Sequence, residues 1–264
     1  MVANTFILSG NSSDFTTDYP TTIGLNPKKK YEAALLSIDL YNSFPNITEE
    51  NNKFKYSTDG GIIWKLITLS TGSYELAAIN DEIQRLMIIN DDYDKETNSF
   101  YINISANIST LKSVIEITNE KYQIDFSETN SIGSTLGFGP IILQHGYNES
   151  QEIVNIMKLN SILVNVDFIS GSYVKGSQFP VIYSFFPNVS PGRKIIERPN
   201  PSLIFYPVNK SDITSMRLWL TDQNNNPVDV RGETITVRIL IREVTNIKNN
   251  IKRAMKELKE ENIL

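Results

Sequence analysis

The stretch SDITSMRLWLTDQNNNPVDVRGETITVRILIREV, residues 211–244, decides the fold class. Apolar and polar residues alternate in both of its halves, as they do in strands with one face in a core. The apolar positions are Met216, Leu218 and Leu220 in the first half and Ile235, Val237, Ile239 and Ile241 in the second. Residues 221–227 between the halves are polar turn formers. We therefore predict two long strands joined as a wide antiparallel hairpin.

The turn of this hairpin partly matches a calcium-binding EF-hand loop. Asp222, Asn224, Asn226 and Glu233 occupy loop positions 1, 3, 5 and 12. Position 6 of such a loop requires a glycine, and here that position is Pro227. The flanking segments alternate as strands, whereas an EF-hand needs two helices. We predict an Asn-rich turn and no calcium site.

The composition narrows the classes of protein to which the chain could belong. Its 264 residues allow one large β domain or two small ones. A formal net charge of −5 argues against a nucleic-acid partner. The absence of cysteine excludes disulfides, thiolate metal sites and cysteine nucleophiles. No apolar run approaches the roughly 20 residues of a membrane span, and the first residues lack a signal-peptide pattern, so a soluble protein without membrane association is expected.

The chain divides by pattern into three parts. Residues 1–30 are polar and turn-rich and are interpreted as an N-terminal arm, in which only 5–8 could form a short strand. Residues 31–244 are interpreted as one jelly-roll β-sandwich with insertions, and 245–264 as a C-terminal amphipathic helix. Whether 31–128 and 140–244 form one sandwich or two is left open. Further strands are predicted within 31–44, 100–104, 110–117, 122–126, 153–168 and 179–186, and a Pro-rich loop at 187–201.

Three local signals in the first half of the chain predict a hairpin and two helical segments. Asp59-Gly60-Gly61 predicts a hairpin within 53–69, with Ile62, Trp64 and Leu66 alternating on the returning strand. Ser73 can cap a helix that follows it. Helical spacing predicts one apolar stripe on that helix, formed by Leu76, Ile79, Ile83 and either Leu86 or Met87. Residues 129–138 predict a compact turn or short helix pinned to the core.

The C-terminal segment is the candidate assembly element. Ile247, Ile251, Met255 and Leu258 recur at intervals of three and four among lysines and arginines, which predicts an amphipathic helix of about 18 residues. A narrow apolar seam stabilises little by itself, so the helix must pack on its own domain or on a partner. The sequence does not distinguish these two cases.

The sequence contains no recognisable catalytic motif, so no enzymatic activity and no cofactor are predicted. The chain has one histidine, His145, and nothing in the sequence places it beside a nucleophile. Nucleophile elbows, zinc-protease helices and phosphate-binding loops are absent. The acidic residues at 91–94 could hold a hard cation, although a solvated loop is the simpler interpretation.

Several short motifs, in their order along the chain, resemble the capsid proteins of Polinton (Maverick) elements and adintovirus-like viruses. The matching segments are GSYEL at 72–76, YQIDF at 122–126, SIGSTLGF at 131–138, FPNVSPG at 186–192, IFYPV at 204–208 and RGETITVR at 231–238. The resemblance covers roughly residues 50–242. It leaves out the N-terminal arm and the C-terminal helix.

The resemblance implies a minor capsid, or penton, protein. Its expected fold is mainly β, an antiparallel jelly-roll β-sandwich, here with one internal helix and the C-terminal amphipathic helix. Its expected partners are copies of itself, as a pentamer at the vertices of an icosahedral shell, and the major capsid protein of the same element. Its expected location is the virion, after assembly inside the host cell. The family contributes no catalytic residues.

A second hypothesis is a β-sandwich binding module for a glycan or a cell-surface receptor. Its loops would do the binding, with Trp64 and Trp219 as stacking surfaces. Both tryptophans lie in strand patterns, so burial is the simpler expectation for them. A penton could also bind a host receptor, so the two hypotheses are compatible. Arg231-Gly232-Glu233 is not interpreted as an integrin motif, because its acid is Glu and it is expected to open a strand.

Overall fold

The computed structural model describes residues 3–156, 159–199 and 202–244. The strands are β1 (Ala3–Gly10), β2 (Asp14–Gly24), β3 (Tyr31–Tyr41), β4 (Lys53–Ser57), β5 (Lys65–Thr68), β6 (Ile102–Asn107), β7 (Lys112–Ile117), β8 (Gln123–Asp125), β9 (Ile142–Leu143), β10 (Gly146–Glu149), β11 (Ile162–Val166), β12 (Ser172–Val174), β13 (Ser177–Phe179), β14 (Val181–Phe185), β15 (Lys194–Glu197), β16 (Tyr206–Pro207), β17 (Asp212–Asp222) and β18 (Ile235–Glu243). The helices are α1 (Leu76–Ile89) and α2 (Gly133–Leu136).

The described residues form two compact units. The first unit comprises those of Met1–Tyr41, Ser161–Asn188 and Lys194–Leu264, and the second those of Asn42–Asn160 and Val189–Arg193. The sequence suggested one sandwich over 31–244. The structure places most of 42–160 in a separate unit with its own core, and it adds 3–24 to the sandwich.

The first unit is an antiparallel jelly-roll β-sandwich. Its two sheets have the strand orders β1-β18-β3-β15 and β14-β11-β17-β2, and the short β16 also pairs with β3. These eight main strands pair first with last, second with seventh, third with sixth and fourth with fifth. This is the pairing of one long hairpin rolled into two sheets, which defines a jelly roll. The expected mainly β jelly-roll fold class is confirmed.

The alternation in 211–244 correctly predicts which side chains are buried, but the predicted hairpin is wrong. All seven apolar positions named above are at most 2% exposed. However, β17 pairs with β11 and β2 in one sheet, whereas β18 pairs with β1 and β3 in the other. The turn between them carries the chain from one sheet to the other. Alternation fixes the face that a strand buries but leaves its partner strand undetermined.

The interpretation of residues 1–30 as an arm is also wrong for the described part. Residues 3–24 form β1 and β2, which pair along most of their length with β18 and β17. β2 is an edge strand with exposed residues alternating with half-buried ones, so its composition is as polar as that of a loop. For the same reason the predicted Pro-rich loop at 187–201 contains β15, the sixth strand of the roll.

The second unit packs two small antiparallel sheets and α1 around a separate core. The sheets have the orders β5-β4-β8-β9 and β10-β7-β6. As predicted, Ile79, Ile83 and Met87 form the buried face of α1, although the helix begins after Glu75 and not after a Ser73 cap. Residues 133–136 form the expected short helix, which ends at Gly137 in the left-handed conformation.

The hairpin predicted at Asp59-Gly60-Gly61 is present as β4 and β5, but its returning strand begins three residues later than expected. β5 starts at Lys65, so Ile67 and Leu69 enter the core, and Ile62 and Leu66 are exposed. The Asp59 carboxylate explains the delay, because its Oδ1 accepts hydrogen bonds from the backbone N–H groups of Ile62 and Ile63 and holds these residues in the turn.

Candidate interaction surfaces

The residues considered for catalysis or metal binding are separated in the structure. His145 is exposed in the turn between β9 and β10. In residues 3–156, 159–199 and 202–244, no group of three or more His, Cys, Asp or Glu residues could hold a metal ion. In the acidic loop, Asp91 forms a salt bridge with Lys95, and the Asp94 Oδ1 accepts backbone hydrogen bonds within its own turn.

The remaining carboxylate of this loop, Asp92, belongs to a partly buried polar network in the second unit. The hydroxyl of the fully buried Tyr56 donates to Asp92 Oδ2 at 2.5 Å, and Lys65 Nζ lies 2.6 Å from both carboxylate oxygens. Asn90, which ends α1, donates its Nδ2–H to the Tyr56 hydroxyl at 2.9 Å. The network joins the end of α1 to β4 and β5.

Two tyrosines near Asp92 are held in their neutral form. Burial, followed by the hydrogen bond to Asp92, raises the pKa of Tyr56 well above its usual value. Burial, followed by the negative charge of Asp92, raises the pKa of Tyr122 to about 12. A neutral phenol with a raised pKa is a poor general base at neutral pH. The Tyr56 hydroxyl is also hydrogen-bonded to Asp92, and Tyr122 is buried. We interpret this network as a stabilising element of the second unit.

The partial EF-hand match is an Asn-rich turn, as predicted. The Asp222 Oδ1 accepts hydrogen bonds from the backbone N–H groups of Asn224 and Asn226, and its Oδ2 accepts from the Asn226 side chain. The carboxylate is therefore used to close its own turn.

Arg231-Gly232-Glu233 was expected to open a strand. It lies instead in an exposed turn that precedes β18, with positive φ at Arg231 and Gly232.

The first unit contains a small cavity of about 130 Å³. It is lined by Leu35, Ile182, Tyr183, Pro199, Ser202 and Ile204. Pockets that enclose small ligands usually measure about 300–1,000 Å³, so this cavity does not indicate a ligand site.

The two tryptophans are half-buried. The guanidinium of Arg217 lies 4.9 Å from the centroid of the Trp219 ring, which gives that ring a cation–π partner within the protein. The Trp219 ring is therefore not a free stacking surface.

Across the described ranges, the helices are too short or too polar to cross a bilayer.

One edge of the roll is formed by the outermost strands β1 and β2, and we name it the β1–β2 edge. The two strands contact each other through Phe6 and Tyr19, whose ring centroids are 6.0 Å apart. On the face of β1 opposite the buried Leu8, Ile7 is 61% exposed. On β2, Asp18 is exposed and forms no salt bridge with any described residue.

The opposite edge of the roll is formed by β14 and β15, and we name it the β14–β15 edge. The Tyr183 hydroxyl on β14 lies 3.5 Å from a carboxylate oxygen of Glu197 on β15, which shows that the strands are neighbours. Phe186, just after β14, is 61% exposed, and Ile196 on β15 is 53% exposed. Lys194 and Arg198 on this edge are also exposed, without a salt bridge to the described part of the chain.

The assembly residues expected from the sequence, Ile247, Ile251, Met255 and Leu258, lie outside the described residues. The two edges of the roll were missed because β1, β2 and β15 were interpreted as an arm and a loop. The sequence did contain a signal for β1. Phe6 and Leu8 are separated by the apolar Ile7 in an uncharged segment, a pattern that indicates an edge strand with apolar residues on both faces.

Comparison with known proteins gives structural similarities only. No protein-family model and no curated protein matches the chain. The crystal structure of the mavirus penton protein is similar, with a TM-score of 0.48 and 12% sequence identity, over 92% of this chain and 99% of that one. The D2–D3 domains of the flagellar cap protein FliD from Escherichia coli give a TM-score of 0.21 and 12% identity, over 84% of this chain and 100% of that one.

Proposed function

We propose that the chain is a structural capsid protein, the penton-type subunit at the vertices of an icosahedral viral or virus-like shell. The observation that carries the proposal is the strand order β1-β18-β3-β15 and β14-β11-β17-β2. Jelly rolls of eight strands in two sheets are a recurrent fold of capsid proteins and lectins. The motifs at 72–76, 131–138 and 231–238, which resemble capsid proteins of Polinton elements, favour the capsid among these classes.

The partners in this proposal are four further copies of the chain and the major capsid protein of the same element, in the virion. The proposal needs no catalytic residues, since its work is association. The alternative, a glycan- or receptor-binding module, has less support, because the cavity is small and the Trp219 ring is already contacted by Arg217. A receptor could still bind an assembled penton.

We propose a role in assembly for the segment 245–264. Val244, whose N–H donates to the carbonyl oxygen of Lys30, ends the described chain beside the start of β1. Because Val244 is exposed at the surface of the first unit, we propose that the segment with Ile247, Ile251, Met255 and Leu258 offers its apolar seam to a neighbouring subunit.

The test is the native mass of the purified protein, measured by light scattering on the full chain and on a chain that ends at Val244. The proposal expects five chain masses for the full chain. A loss of the pentamer on truncation would support the assembly role of 245–264, and an unchanged pentamer would contradict that role alone. A monomer over a wide concentration range, with stabilisation by a glycan array ligand, would favour the alternative.

A further inference from the structure

We infer that the β1–β2 edge of one copy of this chain docks on the β14–β15 edge of the next copy. The inference rests on the proposed function, and it names the surfaces of the first unit that would meet in the ring. It uses only exposed side chains and strand edges of that unit.

The two edges differ, so a contact between them is head-to-tail. β1 and β15 are the two ends of one sheet, and β2 and β14 are the two ends of the other. A head-to-tail contact joins two different patches on each copy, and repeated rotation closes it into a ring. A contact of one edge with its own copy would produce a dimer and then stop. A pentamer therefore requires two complementary surfaces on each chain.

Within the β1–β2 edge, β1 lacks the protection that solvent-exposed edge strands usually have, whereas β2 carries Asp14, Asp18 and Pro20. β1 contains no charged residue, no proline and no bulge in its eight-residue pairing with β18, and its outer side has no strand partner among the described residues. Isolated proteins protect such edges with lysine, proline or short strands. Ile7, on the outer face of this unprotected strand, is 61% exposed. The composition fits an edge that a protein surface covers.

The β14–β15 edge supplies matching apolar groups and the opposite charge. Phe186 and Ile196 are exposed there, and aromatic residues are enriched at the centre of interfaces. Lys194 and Arg198 are positive and exposed, whereas the exposed and unpaired charge of the opposite edge is the carboxylate of Asp18. Complementary charges favour the edge-to-edge contact over either edge meeting its own copy.

The shorter edge sets the size of the contact. β14 and β15 have 5 and 4 residues, and at about 3.3 Å per residue they give an edge roughly 15 Å long. Two sheets about 10 Å apart, with their side chains, give a width of roughly 20 Å. Each contact therefore covers on the order of 300 Å² per partner, less than the roughly 800 Å² of a standard interface, and a closed ring gives every chain two such contacts.

The test uses two single variants of the full chain and their mixture. Ile7→Asp damages only the β1–β2 edge, and Ile196→Asp damages only the β14–β15 edge. We expect each variant to be monomeric by light scattering. In an equimolar mixture, the intact β1–β2 edge of the Ile196→Asp chain can dock on the intact β14–β15 edge of the Ile7→Asp chain. The mixture is therefore expected to give a dimer of the two variants and no larger species.

The matched control is Ile62→Asp, because Ile62 is a more exposed isoleucine in the second unit. This variant should keep the native mass of the unaltered chain. Circular dichroism and urea unfolding verify that all three variants are folded.

A second pair of variants covers the case in which an aspartate in an edge strand prevents folding. Asp18→Lys alone should raise the dissociation concentration of the ring at least about tenfold. The double variant Asp18→Lys with Lys194→Asp in the same chain should return the dissociation concentration to that of the unaltered chain.

The outcomes separate the inference from the proposed function. If the unaltered chain is a pentamer and both edge variants stay pentameric, or the mixture stays monomeric, the edge-to-edge contact is wrong and the capsid proposal stands. If the unaltered chain is itself monomeric, the proposed self-assembly fails, and the inference fails with it. A dimer that forms only in the mixture supports the inference.

Discussion

Replacing Asp92 by alanine should destabilise the second unit through its buried polar network. The change removes the acceptor of the Tyr56 hydroxyl and the partner of Lys65. Tyr56 is fully buried and Asn90 donates to its hydroxyl oxygen, so Asp92 is the acceptor of the hydroxyl proton in the structure. A buried hydroxyl is left with an unpaired proton.

The expected loss follows from the burial of each partner. An unpaired buried polar group costs about 1–3 kcal/mol. The Lys65 side chain is 38% exposed and stays solvated, so the loss of its ion pair adds at most about 1 kcal/mol. We expect the free energy of unfolding of the second unit to fall by about 2–3 kcal/mol. Tyr56→Phe removes the hydroxyl itself and should cost less, about 1 kcal/mol.

The two tryptophans of the chain allow this loss to be assigned to one unit. Trp64 lies in the second unit and Trp219 in the first. In a Trp219→Phe background, urea unfolding followed by tryptophan fluorescence reports on the second unit alone. A double-mutant cycle of Asp92→Ala and Tyr56→Phe in that background should give a coupling energy of about 1 kcal/mol or more.

The control is Asp91→Asn, which weakens an exposed salt bridge with Lys95 from the same loop, keeps a residue type that tolerates the φ of 62° at this position, and should change the stability little. If Asp92→Ala costs no more than Asp91→Asn, or if the cycle shows no coupling with Tyr56, the network does not stabilise the unit and our interpretation of it is refuted.

Three further predictions concern single residues, the first tested by a phenol absorbance titration and the other two by urea unfolding. The pKa of the Tyr122 hydroxyl is raised from 10.0 to about 12, so the folded state holds this proton more tightly than the unfolded state does. The stability that this proton contributes is complete below pH 10 and is lost as the pH rises to about 12. A phenol absorbance titration in which no tyrosine ionises near pH 12 would contradict this. Ile239→Ala, in the core of the first unit, should lower the free energy of unfolding by about 2–5 kcal/mol. Arg238→Ala, on the outer face of β18, should lower it by less than about 1 kcal/mol. Equal losses would refute the faces assigned to these two residues. Gly137 has a φ of 82°, and the methyl group of a Gly137→Ala variant would meet a backbone carbonyl oxygen. Gly60 has a similar φ of 79°, but a methyl group there would meet no other atom. Gly137→Ala should therefore destabilise the second unit more than Gly60→Ala, and an equal loss would indicate that φ alone sets the cost.

Some segments could be predicted from the sequence because their burial pattern is regular. α1 was found from the spacing of Ile79, Ile83 and Met87, and β17 and β18 from strict alternation. β2 and β15 were not found. An edge strand buries one face only in part, so its residues carry weak alternation and its prolines and polar groups resemble those of a loop.

The candidate surfaces depend on strand pairing, and this explains why the sequence did not locate them. Ile7 and Ile196 are 189 positions apart in the chain, and they become opposite ends of one sheet only through the intervening β18 and β3. The polar network has the same origin, since Tyr56 and Asp92 are joined only when α1 packs on its sheet.

The sequence by itself determined the β-rich class, the core-facing residues of the long strands and the absence of cysteine chemistry. These properties depend on composition and on a period of two, both of which are local. The tertiary structure alone decided that β17 and β18 belong to different sheets, that residues 3–24 complete the roll, and that 42–160 form a second unit. The alternation of a strand specifies which of its faces is buried, and pairing with any of several strands could bury that face. The partner is selected by the packing of the whole sandwich, because only one arrangement buries all of these faces together.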